Sequence, residues 1–217
     1  TGTIQAQDNR IEYNDQQLFL SGSNIAWVDF ANDIGPGETD FDQFEQIFQN
    51  AHQNGANTMR LWLHINGEHT PAFDSNGMVT GPGEGTIQDV EQILDLAHEN
   101  EIGLMLTLWS FDMLRESFGE DVTSRAQELL QDSAHTASYI NNSLIPMVDA
   151  LKGHPGIQSW EIFNEPEGMS EEHGWDGFKK VSMNTIQRFV NRTAGAIHRT
   201  DSTAKVTNGT WSFIAAS

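Results

Sequence analysis

Trp160-Glu161-Ile162-Phe163-Asn164-Glu165-Pro166 is the stretch on which the fold turns. Residues 157–163 read as a strand that closes on two polar residues and a proline. Pro166 cannot continue the ladder, so Asn164 and Glu165 stand at the C-terminal end of that strand. Four other segments read as strands: 18–25, 58–63, 102–108 and 205–208, of which 102–108 is nearly all apolar, as expected of a strand buried on both faces in a parallel sheet. A small hairpin with Asn14-Asp15 as its turn precedes the first. Between the strands, apolar residues recur at helical spacing. Phe41, Phe44, Ile47, Phe48 and Ala51 form one stripe, closed by Gly55. Thr86, with Asp89 three residues on, is expected to cap a second helix. A third helix spans about 134–151 and is expected to kink or restart at Pro146. A fourth runs from Ser182 to about His198, and 68–85 reads as a long loop.

Five βα units fit a doubly wound sheet or the front part of a (β/α)₈ barrel, and the strand ends separate the two. A nucleotide-binding doubly wound fold needs a glycine-rich turn after its first strand, where backbone amides meet phosphate. Here that turn reads Ser21-Gly22-Ser23-Asn24-Ile25-Ala26-Trp27, with neither G-x-G-x-x-G nor G-K-[ST]. Polar and aromatic residues instead collect at the C-terminal strand ends: Trp27; Arg60 with Trp62 and His64; Trp109; Asn164 with Glu165; and Trp211. Collection at that one edge is the barrel pattern. The expectation is an α/β fold, a (β/α)₈ TIM barrel of which these residues form the N-terminal five βα units.

Composition narrows the chemistry. The 217 residues carry 31 Asp and Glu against 11 Lys and Arg, a formal charge of −20. Such a surface repels phosphate backbones and anionic lipid headgroups, so neither nucleic acid nor a membrane is expected as a partner. The absence of cysteine removes disulfides, thiolate-held zinc, iron–sulfur clusters and thiol catalysis. His64 and His69 do not have the spacing of a helical zinc site, and no metal or cofactor is expected. The start at Thr1, without Met or a basic-then-apolar leader, reads as a processed or trimmed end. The acidic surface reads as that of a secreted protein or as a mark of a salt-rich habitat, and a secreted or extracellular protein is expected.

Glu165, at a barrel mouth walled by indoles, is expected to have a raised pKa and to serve as a general acid. Asn164 beside it can hydrogen-bond a sugar hydroxyl. Period-2 spacing puts Arg60, Trp62 and His64 on one strand face. A charged Arg there needs a carboxylate, either Glu161 in a structural pair or a catalytic carboxylate that it orients. Trp27, Trp109 and Trp211, one after each of three strands, suit the apolar C–H faces of sugar rings. His64 reads as a sugar contact or as a satisfied core histidine.

These residues resemble glycoside hydrolase family 5, within the clan of (β/α)₈ retaining glycosidases. The resemblance rests on Phe163-Asn164-Glu165-Pro166, on Arg60 in the second strand and on the Trp-bearing strand ends. Leu20-Ser21-Gly22-Ser23-Asn24-Ile25-Ala26-Trp27, Met59-Arg60-Leu61-Trp62-Leu63-His64, Thr70-Pro71-Ala72-Phe73, Val79-Thr80-Gly81-Pro82 and Asn164-Glu165-Pro166-Glu167-Gly168-Met169 are similar to its endo-β-1,4-mannanase branch. The resemblance implies a retaining endo-acting mannanase. Its acid/base would be Glu165, Asn164 would bind the 2-hydroxyl, and Arg60 would position the nucleophile. Trp27, His64, Trp109 and Trp211 would line the sugar subsites. The alternatives are a β-1,4- or mixed-linkage β-glucanase and a non-catalytic carbohydrate-binding module. The family's nucleophile Glu ends a seventh strand, and five are legible here. Residues 1–217 are therefore expected to be the N-terminal portion of one catalytic barrel. The remaining strands would come from a downstream segment or a second chain, and the polysaccharide substrate would be mannan or β-glucan.

Overall fold

The computed structural model of the protein describes residues 4–7, 10–13, 16–37 and 39–212. Three short antiparallel strands open the chain: β1 (Ile4–Gln7), β2 (Arg10–Tyr13) and β3 (Gln16–Gln17). The expected Asn14-Asp15 turn lies outside the described residues. Five parallel strands follow: β4 (Gly22–Ile25), β5 (Thr58–Ile65), β8 (Gly103–Ser110), β9 (Ile157–Asn164) and β10 (Val206–Thr207). Each pairs in parallel with the strand before it in that series, and none is inserted out of order. A doubly wound sheet reverses direction at a switch point. This sheet has no reversal among the described residues, which is the strand order of a barrel wall.

The helices follow the same order. α1 (Phe41–Gln53) packs on α2 (Thr86–Glu99), α2 on α5 (Ile145–Leu151), and α5 on α6 (Met183–Thr200). Leu61, Leu104, Leu106, Leu108 and Ile162 share one core with Phe44, Phe48, Ile93, Leu94 and Phe189 of the helices. Each fully buried Leu, Ile or Phe there contributes about 1.5–3 kcal/mol. Asp40 caps α1 by accepting from the Gln43 N–H, and Ser182 caps α6 by accepting from the Thr185 N–H.

Several expectations need correction. The first inner strand is confined to Gly22–Ile25, and Phe19 ahead of it is exposed. Thr86 is the first residue of α2 and not its cap. That place belongs to Gly85, whose φ of 72° is a left-handed conformation that favours glycine. Asp89 ties α2 to the loop after β4, accepting the Gly35 N–H at 2.8 Å. The loop at 68–85 contains a small hairpin, β6 (Ala72–Phe73) with β7 (Val79–Gly81). Two helices, α3 (Glu120–Gln131) and α4 (Ser133–Tyr139), stand where only the start of one was read. The kink expected near Pro146 takes the form of a π-helical turn over Ile140–Leu144 between α4 and α5. Widening the turn ahead of the proline relieves its ring clash and its missing N–H.

Candidate active site

The site is built on the C-terminal ends of β5, β8 and β9. Arg60 of β5 points its guanidinium at Glu161 of β9, with Nε and Nη2 donating to Oε2 at 2.6 and 2.5 Å. The Thr107 hydroxyl of β8 donates to the same oxygen at 2.6 Å. Glu161 is buried, so the pair leaves no uncompensated charge in the strand layer. Arg60 also reaches along β9: its Nη2 donates to Asn164 Oδ1 at 3.0 Å. One guanidinium thus neutralises a carboxylate and orients an amide. Gly209, just past β10, closes this cluster, because a Cβ there would stand 2.7 Å from Glu161 Oε1 and 2.9 Å from the Phe163 carbonyl.

Glu165 follows directly, in a left-handed conformation (φ 49°, ψ 51°) that residues other than glycine rarely adopt. Pro166 behind it opens a short 3₁₀ turn. Holding a Glu in that conformation costs on the order of 1 kcal/mol and aims its side chain away from the strand's regular alternation. Burial is the main influence that raises its pKa, helped by the charges of Glu167 and Asp112; Arg60 acts in the opposite direction. Glu165 is a half-buried carboxyl with a raised pKa beside an oriented amide.

The other carboxylates of the neighbourhood are engaged. Asp112 accepts from Arg115 Nε and Nη2 at 2.8 and 2.6 Å, and from the Ser110 hydroxyl at 2.8 Å. Glu167 is buried, and its Oε1 accepts the backbone N–H groups of Trp211 and Ser212. It thereby holds the loop that follows β10. Sequence reasoning did not group Ser110, Asp112 and Arg115, and it gave Glu167 no role. The available signals were short: Asp112 three residues before Arg115, and a second Glu two residues after Glu165.

Exposed aromatic residues follow the two outer strands of the sheet, β4 and β10. Trp27, after β4, is 43% exposed and stands edge-on to Trp62, their rings 5.8 Å apart. Its loop is fastened by Asp33, which accepts the Val28 and Asp29 N–H groups at 2.8 and 2.7 Å. Trp211, after β10, is 62% exposed and meets Trp175 at 6.0 Å.

His64 and Trp109 do not join them. Both are 1% exposed. Their rings lie 4.8 Å apart, and each packs on Tyr139 of α4, at 5.7 and 5.3 Å. A register shift between Trp62 and Ile65 breaks the alternation of β5, so His64 does not share the face of Arg60. His64 is a core histidine: Nδ1 meets Thr70 Oγ1 at 3.0 Å, and burial pushes its pKa down to about 3.

A groove of about 280 Å³ lies at the opposite edge, among Leu18, Ala56, Ile102 and Pro155, away from Glu165. Among the described residues, no group of three or more His, Cys, Asp or Glu could hold a metal ion. None of the helices there is long and apolar enough to cross a membrane.

Comparison with known proteins agrees with this geometry. The chain is 34% identical over 228 residues to a mannan endo-1,4-β-mannosidase of Cryptopygus antarcticus, covering 96% of this chain and 58% of that protein. It is equally similar to a mannan endo-1,4-β-mannosidase of Mytilus edulis, of which it covers 60%. The chain thus spans about 60% of the length of the curated relatives it matches. Its fold superposes on an endo-1,4-β-mannanase of Eisenia fetida with a TM-score of 0.87 at 30% identity, covering 98% of this chain and 63% of that one. Residues 18–214 match the model of the cellulase family, glycosyl hydrolase family 5. With its parallel sheet in barrel order and Glu165 at the mouth, the chain belongs to glycosyl hydrolase family 5.

Proposed function

We propose that this chain supplies the acid/base half of a retaining endo-β-1,4-mannanase. The observation that carries the reading is Glu165: a carboxyl at a strand end, with a raised pKa, beside the amide of Asn164. In retaining hydrolysis such a group protonates the leaving oxygen and then deprotonates the attacking water. Asn164 holds the 2-hydroxyl of the sugar at the cleavage point. Arg60 fixes Asn164 and positions the nucleophile. Trp27 and Trp211 stack on sugars on either side. The substrate is a neutral polysaccharide, which suits a surface of formal charge −20, and the protein works outside the cell.

The nucleophile comes from residues outside this chain. Retaining enzymes place it about 5–5.5 Å from the acid/base. Glu161 lies four residues back on the same strand, roughly 13 Å away at ~3.3 Å per residue, and is held by Arg60 and Thr107. Asp112 is held by Arg115 and Ser110. Glu167 is held by two backbone amides. Residues 1–217 are on this reading the N-terminal portion of a single catalytic barrel, completed by a downstream segment or a second chain.

The test is an assay of purified residues 1–217 beside a longer natural product that carries them, on mannan and on mixed-linkage glucan. Activity of the longer form alone, with mannan preferred, is expected. A preference for glucan would make the enzyme a β-glucanase. Full activity of residues 1–217 that survives Glu165→Gln would overturn the assignment of the acid. Sugar binding without hydrolysis in both forms would make the protein a binding module.

A further inference from the structure

We propose that Ser110 and Asp112 are positioning residues that hold the Asn164 amide toward the substrate's 2-hydroxyl; this rests on the reading of Asn164 given above. Asn164, Ser110 and Asp112 are all buried. Asn164 Nδ2 donates to Ser110 Oγ at 3.4 Å, and Ser110 Oγ donates to Asp112 Oδ2 at 2.8 Å. Arg115 grips the other carboxylate oxygen with two donors, at 2.8 and 2.6 Å. The direction of each bond follows from the groups. An ionised carboxylate only accepts, so the single hydroxyl proton of Ser110 goes to Asp112. Ser110 Oγ therefore offers only lone pairs to Asn164, which must answer with an N–H.

On its other side Asn164 meets Arg60, which only donates, so Oδ1 must face that way. The amide is fixed from both ends: a flip would set N–H against guanidinium and oxygen against a hydroxyl with no proton to give. One Nδ2 hydrogen goes to Ser110, and the other remains for a substrate hydroxyl. Among the side-chain bonds that link Arg60, Asn164, Ser110 and Asp112, the 3.4 Å bond is the longest and is the one that sugar binding can tighten. If Ser110 and Asp112 merely braced the turn after β8, their loss would weaken the enzyme toward every substrate alike.

The experiment compares two aryl β-manno-oligosaccharides that differ only in the 2-hydroxyl of the sugar beside the aryl group. It uses the natural enzyme that carries these residues. The readout is the ratio of kcat/KM for the hydroxylated to the 2-deoxy substrate. Ser110→Ala and Asp112→Asn should each lower that ratio about tenfold, the scale of one buried hydrogen bond. Asn164→Ala should lower it further, and adding Ser110→Ala to Asn164→Ala should change nothing more. Ser110→Ala removes a single oxygen, so it keeps the test valid where Asp112→Asn folds poorly. Equal losses on both substrates, or an unchanged ratio in an active enzyme, would overturn the proposal alone. A parent enzyme inert on both substrates would overturn the functional reading and the proposal with it.

Discussion

Glu165 and His64 are two titratable residues of β-strand ends whose burial acts on opposite charge states. Burial and the charges of Glu167 and Asp112 favour the protonated form of Glu165, so its folded pKa lies above that of the unfolded chain. Between the two values the folded state binds more protons, and stability therefore falls as pH rises through that window. Glu165→Gln removes the charge and keeps the shape. Its melting temperature should exceed the parent's near pH 7, with the gap closing below about pH 4, where the parent's carboxyl is protonated in the folded and unfolded states alike. The same substitution should cost about 10²–10⁴-fold in the hydrolysis of mannan by the natural enzyme, the usual worth of a general acid. Formation of the glycosyl-enzyme from a substrate with a good leaving group needs no proton and should be largely spared. Equal losses on the two substrates would sink the assignment of the acid. Glu167→Gln removes a neighbouring charge that raises the Glu165 pKa, so the alkaline limb of the pH–rate profile should move to lower pH. An unmoved limb would mean that Glu167 acts only through the Trp211 loop. For His64 the sign is reversed. Its folded pKa is about 3, so the unfolded chain takes up protons first and stability falls as pH drops below about 6.5. His64→Gln should give a shallower loss of melting temperature between about pH 6.5 and pH 4 than the parent, whatever its absolute stability. An identical slope would show that other groups carry the acid limb.

Among the elements, β9 and β10 depend on a contact that no side-chain pattern announces. The Gly209 N–H donates to the Phe163 carbonyl at 2.9 Å, and its Cα faces Glu161 and Arg60. A methyl group there would press on a backbone carbonyl that cannot swing aside. Gly209→Ala should cost about 1–3 kcal/mol, as overpacking does, seen as a lower urea midpoint with an unchanged m-value. An unchanged midpoint would show that the loop after β10 yields without cost. The same elements show what can be read from local pattern. The run from Gly103 to Ser110 is apolar almost throughout, and α6 has a serine cap and a regular stripe; both were legible because their signals lie within one segment. α3 turns Thr123, Ala126, Leu129 and Leu130 inward, a stripe half made of small or polar residues, and it was not found. The register shift in β5 shows only in its pairing with β8, so alternation alone grouped His64 with Arg60 and Trp62, whereas His64 packs on Trp109 and Tyr139. Among the candidate site residues, Glu165, Asn164 and Arg60 stand out in the sequence because a polar residue ending or interrupting a buried strand is unusual, and the structure brings Arg60 and Asn164 into contact. Ser110, Asp112 and Arg115 are of types common on any surface, and only the approach of β8 to β9 brings Ser110, with Asp112 behind it, to Asn164.

At the scale of the whole molecule, charge is the least balanced quantity. Two of the 11 cationic side chains, Arg60 and Arg115, are spent on buried carboxylates of the site, while most of the 31 acidic ones face water. Exposed pairs such as Lys152–Asp149 and Lys179–Glu120 contribute little each. A surface this negative repels itself and penalises the compact state. Salt shortens the reach of that repulsion, from a Debye length of about 30 Å at 0.01 M to about 3 Å at 1 M. The melting temperature should therefore rise as NaCl is raised across that range. Hydrolysis should respond weakly, because a neutral polysaccharide is not steered by charge. Glu91→Lys with Glu99→Lys, both on the exposed face of α2, tests the cause by moving the formal charge from −20 to −16. Glu99→Lys also places a cation at the helix C-terminus, where it is favoured. The double variant should melt higher than the parent at low salt and gain less from added NaCl. A melting temperature that stays flat or falls with NaCl, or an unchanged salt slope in the double variant, would show that the acidic surface carries no stability cost.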